Sequence, residues 1–93
     1  MQLVWSPGFS RELKRLIRRN PQLRGAIERT LEQLSENPFH STLKTHKLKG
    51  ELADRWACSI DYGNRVVFRF VQNPDSGEEE LLLLTLGSHD EVY

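Results

Sequence analysis

Leu81 to Tyr93 reads LLLLTLGSHDEVY, and the fold follows from how its first half is taken. Leu81–Leu86 is apolar at every position except Thr85 and is closed by Gly87. A run this short and this apolar on both sides reads as a strand buried on both faces, in the middle of a sheet. That strand ends by delivering His89 and Tyr93 to the rim of the fold. Histidine gives or takes a proton near neutral pH, so a histidine fixed at a strand end is a candidate for chemistry. A solvated terminal histidine is the plainer alternative.

Working back from this strand, NPDSGEE at 73–79 is a polar turn. Before it, Val66, Phe68 and Phe70 alternate with Arg65, Val67 and Arg69. Gly63 and Asn64 turn the chain, and Trp56, Cys58, Ile60 and Tyr62 alternate with Ala57, Ser59 and Asp61 on the other arm. This is a hairpin with an aromatic and aliphatic face that meets other elements and a second face, carrying Arg55, Ser59, Asp61, Arg65 and Arg69, that looks outward. Residues 39–54 have no clean period and read as a loop with extended pieces.

Two helices precede that loop. Ser6 and Pro7 form an N-cap followed by proline in the first turn. Phe9, Leu13, Leu16 and Ile17 then make an apolar stripe, with Arg11, Lys14, Arg15, Arg18 and Arg19 opposite it. Asn20 and Pro21 break the helix and start another, in which Leu23, Ala26, Ile27, Thr30, Leu31 and Leu34 recur at three and four until Asn37 and Pro38. Gln2–Trp5 reads as a short first strand. The expected architecture is α+β, in the order β-α-α-β-β-β: two antiparallel helices packed on a twisted, mostly antiparallel four-stranded sheet, in one domain spanning 1–93.

The 93 residues are enough for a single modest core. With 38% hydrophobic and 28% charged residues, the chain has a globular rather than a disordered composition. Cys58 is the only cysteine, which rules out an intrachain disulfide and a multi-cysteine zinc site and favours a reducing compartment. No secretory leader and no stretch of 18 apolar residues is present, so a cytoplasmic location without membrane contact is expected. Net charge is zero but divided: residues 1–50 carry ten Lys/Arg against four Glu, and residues 51–93 three Arg against nine Asp/Glu. A basic half can dock on nucleic acid through phosphates, and it serves equally as a solvated helical surface.

No phosphate-binding glycine loop, HExxH pair or GxSxG elbow occurs. His40, His46 and His89 lack ligand spacing, so no metal and no cofactor is expected. A constellation that needs neither is His46, Arg65 and His89. Two histidines can act as base and acid while an arginine holds a phosphate, which is what RNA cleavage by its own 2′-hydroxyl requires. Trp5 and Trp56 read as core-edge anchors, and Cys58 as a small buried hydrophobe.

S-x-x-F opening the first helix, HKLKG at 46–50, GNRVVF at 63–68 and the terminal G-S-H-x-x-x-Y together resemble the RelE/ParE superfamily of bacterial toxins, closest to the RelE and YafQ branch of messenger-RNA interferases. The resemblance covers essentially the whole chain. It implies a toxin of a type II toxin–antitoxin system that enters the ribosomal A site and cuts the bound message without a metal, by attack of the 2′-oxygen. It also implies a cognate antitoxin that wraps the domain, in a complex that reaches operator DNA through the antitoxin.

Position by position, the resemblance implies His46 as general base, Arg65 as the phosphate-steadying arginine, His89 as general acid and Tyr93 as the aromatic that orients a base. Lys47, Lys49 and Arg69 are candidate RNA contacts. Ser59 stands where relatives have a histidine or lysine, and Asp61 is nearest to the position of a further acid. Two other readings share the scaffold: a ParE-like gyrase inhibitor, and an attenuated toxin that serves as an antitoxin-binding co-repressor module.

Overall fold

The computed structural model describes residues 1–92. Its elements are β1 (Leu3–Trp5), α1 (Pro7–Arg19), α2 (Arg24–Glu36), β2 (His46–Lys47), β3 (Trp56–Ser59), β4 (Asn64–Gln72), β5 (Glu79–Ser88) and α3 (His89–Val92). The strands form one sheet in the order β1-β5-β4-β3-β2. β5 is an interior strand next to the edge strand β1, as its two apolar faces required, and the middle place in the sheet goes to β4 rather than to β5. On one side it pairs with β1 in parallel, Leu3 opposite Leu81, and on the other it runs antiparallel to β4 from Glu79–Gln72 to Ser88–Asn64.

Local chemistry sets the helix ends. Ser6 is extended and its Oγ accepts from the Phe9 amide at 3.0 Å, with Pro7 in the first turn. Asn20 closes α1 by donating its amide to the Leu16 carbonyl, and Arg18 and Arg19 lie at the negative end of the helix dipole. Pro21–Leu23 forms a single 3₁₀ turn, which delays α2 to Arg24. Inside α2 the buried Thr30 hydroxyl donates to the Ala26 carbonyl at 2.8 Å, so its burial leaves no unmet donor.

The helices cover one face of the sheet. Phe9, Leu13, Leu16, Ile27 and Leu34 pack with Cys58, Val66, Phe68, Leu81, Leu83 and Leu86. Phe9, Leu34, Phe68, Leu81 and Leu83 are completely buried, each stabilising the fold by about 1.5–3 kcal/mol. No described helix is long and apolar enough to cross a membrane.

Four expectations are corrected. The sheet has five strands rather than four, because β2 forms inside the stretch read as a loop; two residues are too few to show a period. The described residues also end in a short helical turn, α3, after the last strand. β3 stops at Ser59 instead of running to Tyr62. There Asp61 Oδ1 accepts from the Gly63 and Asn64 amides at 3.0 and 2.9 Å and from Asn64 Nδ2 at 3.0 Å, and Ile60 donates to the Asn64 carbonyl. The turn therefore begins earlier, and Tyr62 stands fully exposed at its tip. The face expected to look outward is also partly covered: Leu48, Ala57 and Val67 are buried in a second cluster with Leu52, Leu84 and Val92.

Candidate active site

The sheet face opposite α1 and α2 is organised by two neighbouring rows that run across the strands. One is His46–Ala57–Val67–Thr85, and the next is Ser59–Arg65–Gly87. Residues directly opposite one another in paired strands point to the same face. With adjacent strands about 4.8 Å apart, His46 lies roughly 10 Å across the sheet from Arg65, and the β2 and β5 strands about 14 Å apart. His89 follows Ser88, whose partner is Asn64, so it leaves the sheet one strand from Arg65. Arg65 thus stands on a strand between those that carry the two histidines. The structure brings Arg65, Ser59 and the start of α3 together at one end of the sheet, and it keeps His46 and His89 on opposite flanks.

His46 is exposed, and its Nδ1 lies 3.0 Å from the Lys44 carbonyl. A carbonyl only accepts, so Nδ1 carries the proton, and the neutral ring holds its basic lone pair on Nε2. Arg65 is half-buried and turned onto its own hairpin, where Nη1 donates to the carbonyls of Asp61, Tyr62 and Asn64 at 2.9, 3.1 and 3.1 Å. The turn thereby fixes the guanidinium. The His89 ring is two-thirds exposed, with Nδ1 3.8 Å from Asp90 Oδ1, too long for a hydrogen bond.

Other candidates fall in different places. Lys47 is opposite Trp56, and by strand alternation its side is the reverse of His46's. Lys49 is exposed beyond the strand. Arg69 Nε lies 3.5 Å from Asp54 Oδ2, so it enters the open face already paired with an acid. The Asp61 carboxylate is engaged in the turn described above. Tyr93 lies outside the described residues.

Gly87 escaped the sequence reading, although it is directly opposite Arg65. Its φ of 153° is a backbone conformation that side-chain-bearing residues rarely adopt. Its place before the Ser-His pair was visible in the sequence; its alignment with Arg65 was not. Cys58 is buried, and burial pushes its thiol up to about 12, which keeps it protonated and unreactive. Among the described residues, no three His, Cys, Asp or Glu side chains come together as a metal site.

A sequence model of the ParE toxin of type II toxin–antitoxin systems, parDE, matches residues 3–93. Among solved structures, a metal-bound toxin from Helicobacter pylori is 26% identical, with a TM-score of 0.74 over 100% of this chain and 99% of that one. The YoeB/ParE toxin from Agrobacterium tumefaciens is 24% identical, with a TM-score of 0.75 over 96% and 99%. YafQ in the DinJ-YafQ complex of E. coli is 14% identical, with a TM-score of 0.77 over 99% and 97%. The last two likenesses are of fold. No curated protein sequence matches the chain.

Proposed function

This chain belongs to the ParE toxin family of type II toxin–antitoxin systems, within the RelE/ParE superfamily, and from that premise we propose that it is a toxin that cleaves messenger RNA on the ribosome. The observation that carries this reading is the position of Arg65. It lies on the sheet face that the helices leave open, on a strand between those bearing His46 and His89.

In the proposed reaction Arg65 neutralises the scissile phosphate, with the Ser59 hydroxyl beside it as a hydrogen-bond donor. His46 Nε2 removes the proton of the ribose 2′-hydroxyl. The 2′-oxygen attacks phosphorus, a 2′,3′-cyclic phosphate forms, and the bond to the 5′-oxygen breaks. His89, protonated, gives its proton to that leaving oxygen. The strand spacing sets a requirement: the flanking histidines must close on the phosphate when the message is bound, as catalytic contacts often do. On this reading the ribosome, which holds the message in the A site, supplies part of that geometry.

A cognate antitoxin is the proposed protein partner, in line with the complex that YafQ forms with DinJ. A toxin–antitoxin assembly would reach operator DNA through the antitoxin. The test is a cell-free translation reaction in which message ends are mapped with and without ribosomes, beside a His89→Ala control. Cuts that require ribosomes and vanish in the control are the expected result; intact message and unimpaired translation would overturn the reading.

The family match also favours a second reading, inhibition of DNA gyrase without RNA cleavage. In a supercoiling assay this predicts inhibition by the unaltered protein and by His46→Ala and His89→Ala variants alike.

A further inference from the structure

The groove where the β3–β4 turn meets the segment before β2 shares Ser59 and Arg65 with the proposed reaction and extends beyond them. Two concavities converge there, one of about 370 Å³ and one of about 230 Å³. They share Thr42, Ser59 and Ile60 as a common wall. The larger is near the lower bound of small-ligand pockets, and Lys44, Tyr62 and Arg65 line it. The smaller runs up to α2, where Arg29 stands at its edge.

We propose that this groove is a subsite for single-stranded RNA, in which Tyr62 stacks on a base next to the scissile phosphate while Lys44 and Arg29 hold the flanking phosphates. RNA as the ligand rests on the nuclease reading above.

Three observations carry the assignment. The first is Tyr62 itself, fully exposed at the tip of a turn, where no described residue covers its ring. That ring is nevertheless presented on rigid backbone: Asp61 Oδ1 accepts three hydrogen bonds within the turn, and Arg65 Nη1 binds three of its carbonyls. A preorganised aromatic binds at small entropic cost. The second is charge. Arg29, Lys44 and Arg65 follow the groove, and the one acid lining it among the described residues, Asp61, is occupied by the turn. The third is Lys44, which adopts a left-handed backbone (φ 51°, ψ 39°) that residues other than glycine rarely take. Its carbonyl is the partner of His46 Nδ1. One residue therefore joins the groove to the candidate base, so occupancy of the groove bears on the orientation of His46.

The chemistry selects RNA over an acidic peptide. A flat ring and a guanidinium lining one cavity offer stacking and charge to a nucleotide, and the Thr42 and Ser59 hydroxyls offer hydrogen bonds. A peptide helix would seek a continuous apolar stripe instead.

The proposal is tested with the intact protein and a fluorescein-labelled, fully 2′-O-methylated RNA hexamer, which binds but lacks the hydroxyl needed for cleavage. Affinity is measured by fluorescence anisotropy across a salt series. Tyr62→Ala is expected to weaken binding about 5- to 100-fold, while Tyr62→Phe, which keeps the ring, binds as the unaltered protein does. Lys44→Ala and Arg29→Ala are each expected to reduce the slope of log affinity against log salt by about 0.7. Unchanged affinity in Tyr62→Ala, or no RNA binding by the unaltered protein, overturns the subsite. So does displacement of the RNA by polyglutamate at concentrations where polyuridylate also displaces it. Message cleavage that persists while Tyr62→Ala leaves binding unchanged removes the subsite and spares the nuclease. Tyr62-dependent binding without cleavage does the reverse.

Discussion

Asp61 and Cys58 are residues whose surroundings decide their chemistry. Asp61 is a carboxylate near the candidate site, yet its Oδ1 serves the turn. Asp61→Ala should cost about 1 kcal/mol of stability, on the scale of an exposed cap. It should also loosen the carbonyls that hold Arg65, so RNA cleavage should fall further than the loss of stability accounts for; urea unfolding and cleavage measured on the same sample compare the two. Cys58 is buried beneath the helices, and its thiol is raised from 9.0 to about 12. The unfolded chain ionises first, so between those two values the folded state holds a proton that the unfolded state has lost. Stability contributed by this group is complete below pH 9 and is lost as pH rises towards 12, at up to about 1.4 kcal/mol per pH unit. Thermal melts from pH 8 to 11 should show a steeper decline for the unaltered protein than for Cys58→Ala.

Among the elements, α1 depends most visibly on one side chain. Ser6 Oγ accepts from the Phe9 amide and also donates to the Leu84 carbonyl at 3.3 Å, so the same hydroxyl starts the helix and ties it to β5. Ser6→Ala should destabilise the protein by about 1–2 kcal/mol, read as a lower urea midpoint at unchanged slope. α1 and its cap were legible because Ser-Pro followed by apolar residues at four and seven is a helix signal with a local cause. β2 was not legible. Its two residues are held in place by pairing with Ala57 and Trp56 and by the bond from the Leu48 amide to the Arg55 carbonyl, contacts with no local signature. Tyr62 was misplaced for a related reason: alternation predicts the inward face only while a strand continues, and the Asp61 side chain ends this one.

The whole molecule is a sheet with helices on one face and a small cluster on the other, and its stability rests on the first. Phe68, on β4, is fully buried in the core under the helices and touches Phe70 edge-on at a centroid distance of 5.7 Å. Phe68→Ala should cost about 3–5 kcal/mol, a large share of the roughly 5–14 kcal/mol available to a domain of this size. Such a variant should lose toxicity at 37 °C with every site residue intact, and denaturant unfolding at 15 °C would register the loss. Ala57 and Val67 lie on the hairpin face read as outward, because a strand pattern does not reveal which distant segments fold over it; here Leu48 and Leu52, from the stretch read as a loop, and Val92 do.

By itself the sequence determined that Leu81–Leu86 is an interior strand, that two helices precede the sheet and that a hairpin joins β3 and β4, and it supplied His46, Arg65 and His89 as candidates, since each rests on period, capping or residue chemistry within a few positions. Tertiary structure alone decided that Arg65 faces Gly87 and Ser59, that His46 lies on an added edge strand on the far side of Arg65 from β5, and that Tyr62 stands in solvent beside a cationic groove. Those are matters of register and of which strands become neighbours. They are fixed by pairings between residues far apart in the chain, and a local pattern carries no record of them.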